Sequence, residues 1–197
     1  MTETVSLALS ELRSLVTKAA RGSGLSWGLA EEAGWAAEWL ARRGMPAADW
    51  ATLWLAARLE GAVTPVEVGT ALADQFIGAP EIHDIALPDG LVAPGYLFPF
   101  LHRIAQAGTS VSVSSPLGPA ALVSVAGDVA FGPCWQLQSD RWRMSNTSGA
   151  GIALGRACRS PVSDSVLECL DGLALWTTVP QSETSRRDAG STGGDND

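Results

Sequence analysis

The sequence predicts an α+β fold: a helical N-terminal half, a small antiparallel β-sheet in the middle, a late helix and an extended C-terminal tail. Three observations carry this reading. Apolar residues recur at helical spacing through the first 78 positions. After Gly108 the period shortens to two, between tight turns. The two kinds of segment also come in blocks, helices first and strands after, which is the order of an α+β domain and not of alternating βαβ units.

Taken in order, Ser6 is placed to cap a first helix whose Leu9, Leu12, Leu15, Val16 and Ala19 share a face, with Gly22-Ser23-Gly24 as its end. Ser26 opens a second helix, with Leu29, Ala33, Ala36, Ala37 and Leu40 inward and Gly44 as its stop. Pro46 and Asp49 precede a third, on which Trp50, Leu53, Trp54 and Ala57 fall together. Thr64-Pro65-Val66-Glu67 is a capping box with Pro at the first helical position, and predicts a fourth helix over residues 65–76. Trp35 with Trp39, and Trp50 with Trp54, lie one turn apart, so these indoles are expected to interdigitate across a helical hairpin.

Pro80, Pro88, Pro94 and Pro99 then enforce an irregular connection around one short helix near residues 97–106. Strands are expected over residues 109–114, 120–125 and 128–131, with a fourth around Arg141-Trp142-Arg143-Met144. Ser160-Pro161 is expected to start a last helix with Val166, Leu167, Leu170 and Leu173 inward, and Pro180 to end regular structure. Residues 1–180 thus read as a single domain, and 181–197 as a Gly-, Ser- and acidic-rich tail, whose composition is that of a disordered terminus and whose charged residues suggest instead a segment folding back on the domain.

Composition removes several function classes. The formal charge is −8 and Lys18 is the only lysine, so the chain lacks the basic field that nucleic acid or an anionic membrane surface requires. The start of the chain does not read as a signal peptide, and no apolar stretch reaches the ~20 residues that span a bilayer. Cys134, Cys158 and Cys169 form no short metal pair and leave one thiol over in any disulfide scheme, which points to the cytoplasm. His83 and His102 are the only histidines and lack ligand spacing, so neither a metal nor another cofactor is expected. Eight tryptophans in so small a chain predict self-association, or assembly with an enzyme as a partner subunit.

The segment Gly22-Ser23-Gly24-Leu25-Ser26-Trp27-Gly28-Leu29-Ala30-Glu31-Glu32-Ala33-Gly34, with Val179-Pro180-Gln181-Ser182-Glu183-Thr184-Ser185-Arg186 and the closing Asp195-Asn196-Asp197, resembles a bacterial family known only by a domain-of-unknown-function label. The resemblance implies a bacterial cytosolic protein and likeness at both ends of the chain. It implies no reaction, cofactor or catalytic residue.

Several groups of residues have the chemistry of a site. Gly22, Gly24 and Gly28 allow close backbone approach, and Trp27, Glu31 and Glu32 form a wall and two carboxylates for a cationic or amine-bearing ligand. Glu183, Ser185, Arg186, Asp195, Asn196 and Asp197 in the tail make a complementary set, with Arg186 expected to pair with Glu31 or Glu32 over a shared cleft. Cys134, after Gly132-Pro133, is a weak candidate nucleophile that needs a histidine brought near by the fold. Arg141 with Arg143, and Arg156 with Arg159, have the spacing of an anion clamp, although solvent exposure is the expectation for both pairs. Gly149-Ala150-Gly151-Ile152-Ala153-Leu154-Gly155 lacks the strand and helix context of a phosphate loop and reads as a turn. Two functions follow: a small-molecule protein acting on an amine- or amino-acid-like metabolite, or a non-catalytic subunit that docks through tryptophans.

Overall fold

The computed structural model describes residues 4–77, 81–106, 108, 110–132, 141–148 and 155–177. Four helices build the N-terminal half: α1 (Leu9–Gly22), α2 (Trp27–Arg42), α3 (Ala47–Leu59) and α4 (Pro65–Phe76). The starts of α2 and α4 follow the local chemistry. Ser26 Oγ accepts the Leu29 N–H at 3.4 Å. At α4 the capping box closes both ways, Thr64 Oγ1 accepting the Glu67 N–H at 3.1 Å and Glu67 Oε2 accepting the Thr64 N–H at 3.0 Å. Burial acts to raise the Glu67 carboxyl pKa, but the Thr64 hydrogen bonds and Arg58 outweigh it and hold it below the usual range.

α1 and α2 pack on one another, and their close approach depends on Gly34, where a Cβ would strike Thr17 and the Arg13 carbonyl. Leu12, Val16 and Ala19 of α1 and Ala33, Ala36, Ala37 and Leu40 of α2 are buried as the helical spacing predicts. The third helix departs from its pattern. Leu53 is exposed, and the inward face runs through Ala47, Ala48, Ala51, Trp54 and Leu55.

Both ends of the described domain also differ from the local reading. Residues Thr4–Ala8 form β1, which pairs antiparallel with β7 (Arg159–Ser163), Val5 opposite Val162. Ser6 therefore does not cap α1; Glu11 Oε2 accepts the Ala8 N–H at 2.6 Å instead. Likewise Ser160-Pro161 belongs to β7, and the last helix, α6, runs Asp164–Leu175. Each segment takes its conformation from a partner some 150 residues away, which no local cap signal reports. Among the described residues β7 pairs only with β1, so Pro161 can sit there without removing a ladder bond from a second described strand.

The connection after α4 carries β2 (Ile85–Ala86), a 3-10 turn at Pro94–Leu97 and α5 (Phe98–Ala105). This segment is where the tryptophans meet their partners. Trp35 lies against Phe100 and Trp39 against His102, each with ring centroids 5.5 Å apart, while Trp50 packs on Phe98 at 6.4 Å and Trp54 on Tyr96 at 5.5 Å. The indoles thus do not interdigitate with one another. They grip a third element that the spacing of α2 and α3 alone does not reveal.

The remaining strands, β3 (Ser110–Ser115), β4 (Gly118–Val123), β5 (Val129–Phe131) and β6 (Arg143–Thr147), complete an antiparallel sheet of order β2-β6-β3-β4-β5. Val111, Val113, Val123 and Met144 point into the core, as period-two alternation requires. β4 and β5 are joined by a turn in which Ser124 Oγ accepts the Asp128 N–H at 3.0 Å and Gly127 has φ +82°. That turn reaches the C-terminal end of α2. Among the described residues, no helix is long and apolar enough to cross a membrane.

Candidate anion-binding site at the end of helix α2

Two successive turns of α2 offer a tryptophan to α5. At the first, the Arg103 guanidinium stacks 4.0 Å from the Trp35 ring centroid. It donates Nη1 and Nη2 to Glu32 Oε1 and Oε2 at 3.1 and 2.9 Å. This is a bidentate pair over an aromatic face, and it ties α5 to α2.

At the second turn, the Trp39 indole N–H donates to His102 Nδ1 at 3.1 Å. An indole only donates, so Nδ1 must be an acceptor and the imidazole is neutral with its proton on Nε2. Burial first, and then the charge of Arg43, push the His102 pKa down; a hydrogen bond to the Val125 backbone and the charge of Asp128 pull the other way. Arg43 stacks on the other part of the cluster, 3.6 Å from the Trp39 ring centroid. Its Nε donates to the Gly127 carbonyl at 3.0 Å and its Nη1 to the Trp39 carbonyl at 3.3 Å. Gly127 is required here for two reasons: its φ is in the left-handed region, and a Cβ would come within 2.6 Å of Arg43 Nη2 and 2.8 Å of His102 Nε2.

Outside this cluster opens a hollow of about 300 Å³ lined by Arg42, Arg43, Ala126, Gly127, Asp128 and Arg156. Arg156 arrives because the next residue, Ala157, donates its N–H to the Arg42 carbonyl at 2.8 Å. Arg42 is partly neutralised by Glu38 at 2.6 Å. Among the described residues neither Arg43 nor Arg156 forms an ion pair with a carboxylate. Burial, then the charges of Arg42 and Arg156, lower the Arg43 pKa against the opposing pull of Asp128. Three guanidiniums therefore face one hollow with a single aspartate among them. Such a set has the charge and donors that a small anion needs; the histidine behind it, with Nδ1 occupied by Trp39, positions Trp39 and is not set to act as a general base.

The residues singled out from sequence are distributed differently. Glu32 is held by Arg103, while Glu31 is exposed on the surface of α2. Trp27 is also exposed, with Arg21 5.5 Å over its ring, and borders a separate hollow of about 350 Å³ together with Gly24, Trp176 and Thr177. The tail residues Glu183, Ser185, Arg186, Asp195, Asn196 and Asp197 lie outside the described residues, as do Cys134 and most of the 149–155 segment. Arg143 pairs with Asp84, and Arg141 donates its backbone N–H to Asp89 Oδ1 at 2.6 Å, so this pair forms no clamp. Arg159 donates Nε to Ser6 Oγ at 3.0 Å and pins β7 to β1. Among the described residues no three His, Cys, Asp or Glu side chains converge on a metal position.

The arginine hollow itself was not among the sequence-derived candidates. Its signals were the Arg42-Arg43 doublet before a helix-ending glycine and the acidic Gly-Asp turn of residues 127–128. Basic residues in a last helical turn have an ordinary role in complementing the dipole, so the doublet alone does not mark a site.

Residues 7–64, which comprise α1, α2, α3 and the approach to α4, match a family model described as a protein of unknown function (DUF3726). The Gly22 to Gly34 segment that carries the resemblance falls inside this span, as do Trp39, Arg42 and Arg43; the C-terminal motifs fall outside it. No curated protein and no solved structure matches the chain.

Proposed function

We propose that the protein binds a small amino-acid-like metabolite in the hollow formed by Arg42, Arg43, Asp128 and Arg156. The carrying observation is the charge arrangement: Arg43 and Arg156, which among the described residues form no carboxylate pair, line one hollow with the Asp128 carboxylate. A ligand bearing a carboxylate and a nearby ammonium satisfies both signs, the first on Arg43 and Arg156 and the second on Asp128. A volume of about 300 Å³ suits a metabolite of that size and not a polymer. Cys158 and Cys169 are unpaired and exposed, which suits a reducing bacterial cytoplasm. The second reading, a docking subunit, draws support from the exposure of Trp27 and Trp176.

Isothermal titration and thermal-shift measurements with α-amino acids, matched carboxylates, matched amines and inorganic phosphate test the reading. Amino acids are expected to bind, and at 100 times the dissociation constant to stabilise by about 2.7 kcal/mol. Arg156→Ala and Asp128→Asn each remove a charged hydrogen bond and are expected to weaken binding about tenfold or more. Failure of every compound in the panel to stabilise the protein sinks the proposal.

A further inference from the structure

A second surface lies at the opposite end of α2. Helices α1 and α6 pack closely at Gly22, where a Cβ would strike the Leu173 carbonyl, and diverge elsewhere into a groove of about 770 Å³. Leu15 and Ala174 form part of the groove wall, and Glu11, Lys18 and Asp171 place charges along it. Next to the groove project two tryptophans, Trp27 at 63% and Trp176 at 67% exposure. The two border one hollow, and contiguous exposed apolar surface, unlike a single exposed side chain, marks an interaction site.

We propose that this face pairs two copies of the chain about a two-fold axis. An isologous interface needs a projection and a recess on the same surface, each fitting the other in the second copy. Trp27 and Trp176 supply the projection, and the α1–α6 groove the recess. The charges are self-complementary as well. Glu11 and Lys18 lie two turns apart on α1, with Ser14 between them. Two α1 helices crossing antiparallel near Ser14 set each Lys18 against Glu11 of the other copy, and the small serine lets them approach. A second copy thus meets the one lysine of each face with a carboxylate, while Asp171 and the net charge of −8 oppose association. Trp27 and Arg42 are at opposite ends of a 16-residue helix, roughly 22 Å apart at 1.5 Å per residue, so pairing leaves the arginine hollow open.

The test uses the full-length chain in light scattering and sedimentation equilibrium from nanomolar to high micromolar concentration. A particle of twice the 20.5 kDa chain mass is expected. Trp176→Ser and Lys18→Glu should each weaken the dimer at least tenfold with an unchanged circular dichroism spectrum, and raised salt should relieve the second defect by screening. Because Lys18 is the only lysine, its acetylation rate, mapped by peptide, should fall as the dimer forms. A monomer at every concentration overturns the proposal; if Lys18 is nevertheless shielded, the chain's own residues cover the face. A dimer untouched by either substitution overturns it too, since another surface then does the pairing.

Discussion

Trp35 and Trp39 sit one turn apart on α2, and each carries an arginine on its ring and a residue of α5 at its edge. At Trp35 the arginine charge is closed by Glu32 in a two-pronged bond, and nothing about the cluster invites a ligand. At Trp39 the stacked Arg43 gives two of its donors to backbone carbonyls, which orient the guanidinium but do not neutralise it. Each tryptophan carries a stacked guanidinium; the presence or absence of a bound carboxylate separates a fastening from the site proposed to take a ligand. An arginine on a tryptophan is therefore not informative until its charge partner is known.

The sharpest way to break the contrast is Gly127→Ala. The left-handed φ and the clash with Arg43 and His102 are expected to cost about 2–3 kcal/mol in denaturant unfolding and to abolish amino-acid binding, while the Trp35 cluster stays intact. Next in size is Glu32→Gln, which leaves Arg103 stacked and without its charge partner. A loss of about 1–2 kcal/mol with ligand affinity unchanged is expected, and a change in affinity would erase the distinction between fastening and site. The smallest effect is a pH dependence confined to the second cluster. The folded His102 pKa lies below its ordinary 6.5, so the unfolded chain takes up a proton first as pH falls. Stability from this group is complete above pH 6.5 and declines below it, at no more than about 1.4 kcal/mol per pH unit. His102→Gln should remove that slope in thermal melts across pH 5 to 8, and persistence of the slope would assign it elsewhere.

Much of the helical half is legible in the chain itself because its signals are local. The Thr64 box, the Ser26 cap and the buried faces of α1 and α2 need only residues within two turns of one another. The sheet was legible as strands and turns, though not as an order. Misreadings cluster where a segment answers to a distant one: Ser6 and Ser160 look like helix caps, yet each pairs across β1 and β7, and Trp35, Trp39, Trp50 and Trp54 find partners in residues 96–102 and not in each other. The arginine hollow belongs to the same class, since Arg42, Asp128 and Arg156 come from three separated stretches.

Sequence alone determined the α+β class, the starts of α2 and α4 and the sign of the overall charge, because spacing, capping and composition act over a few residues or over none in particular. Which charges are neutralised was decided only by the tertiary structure. Pairing between a guanidinium and a carboxylate depends on a few ångströms of separation, and the chain reaches that separation by packing α5 and the β4–β5 turn against a helix some sixty to ninety residues earlier.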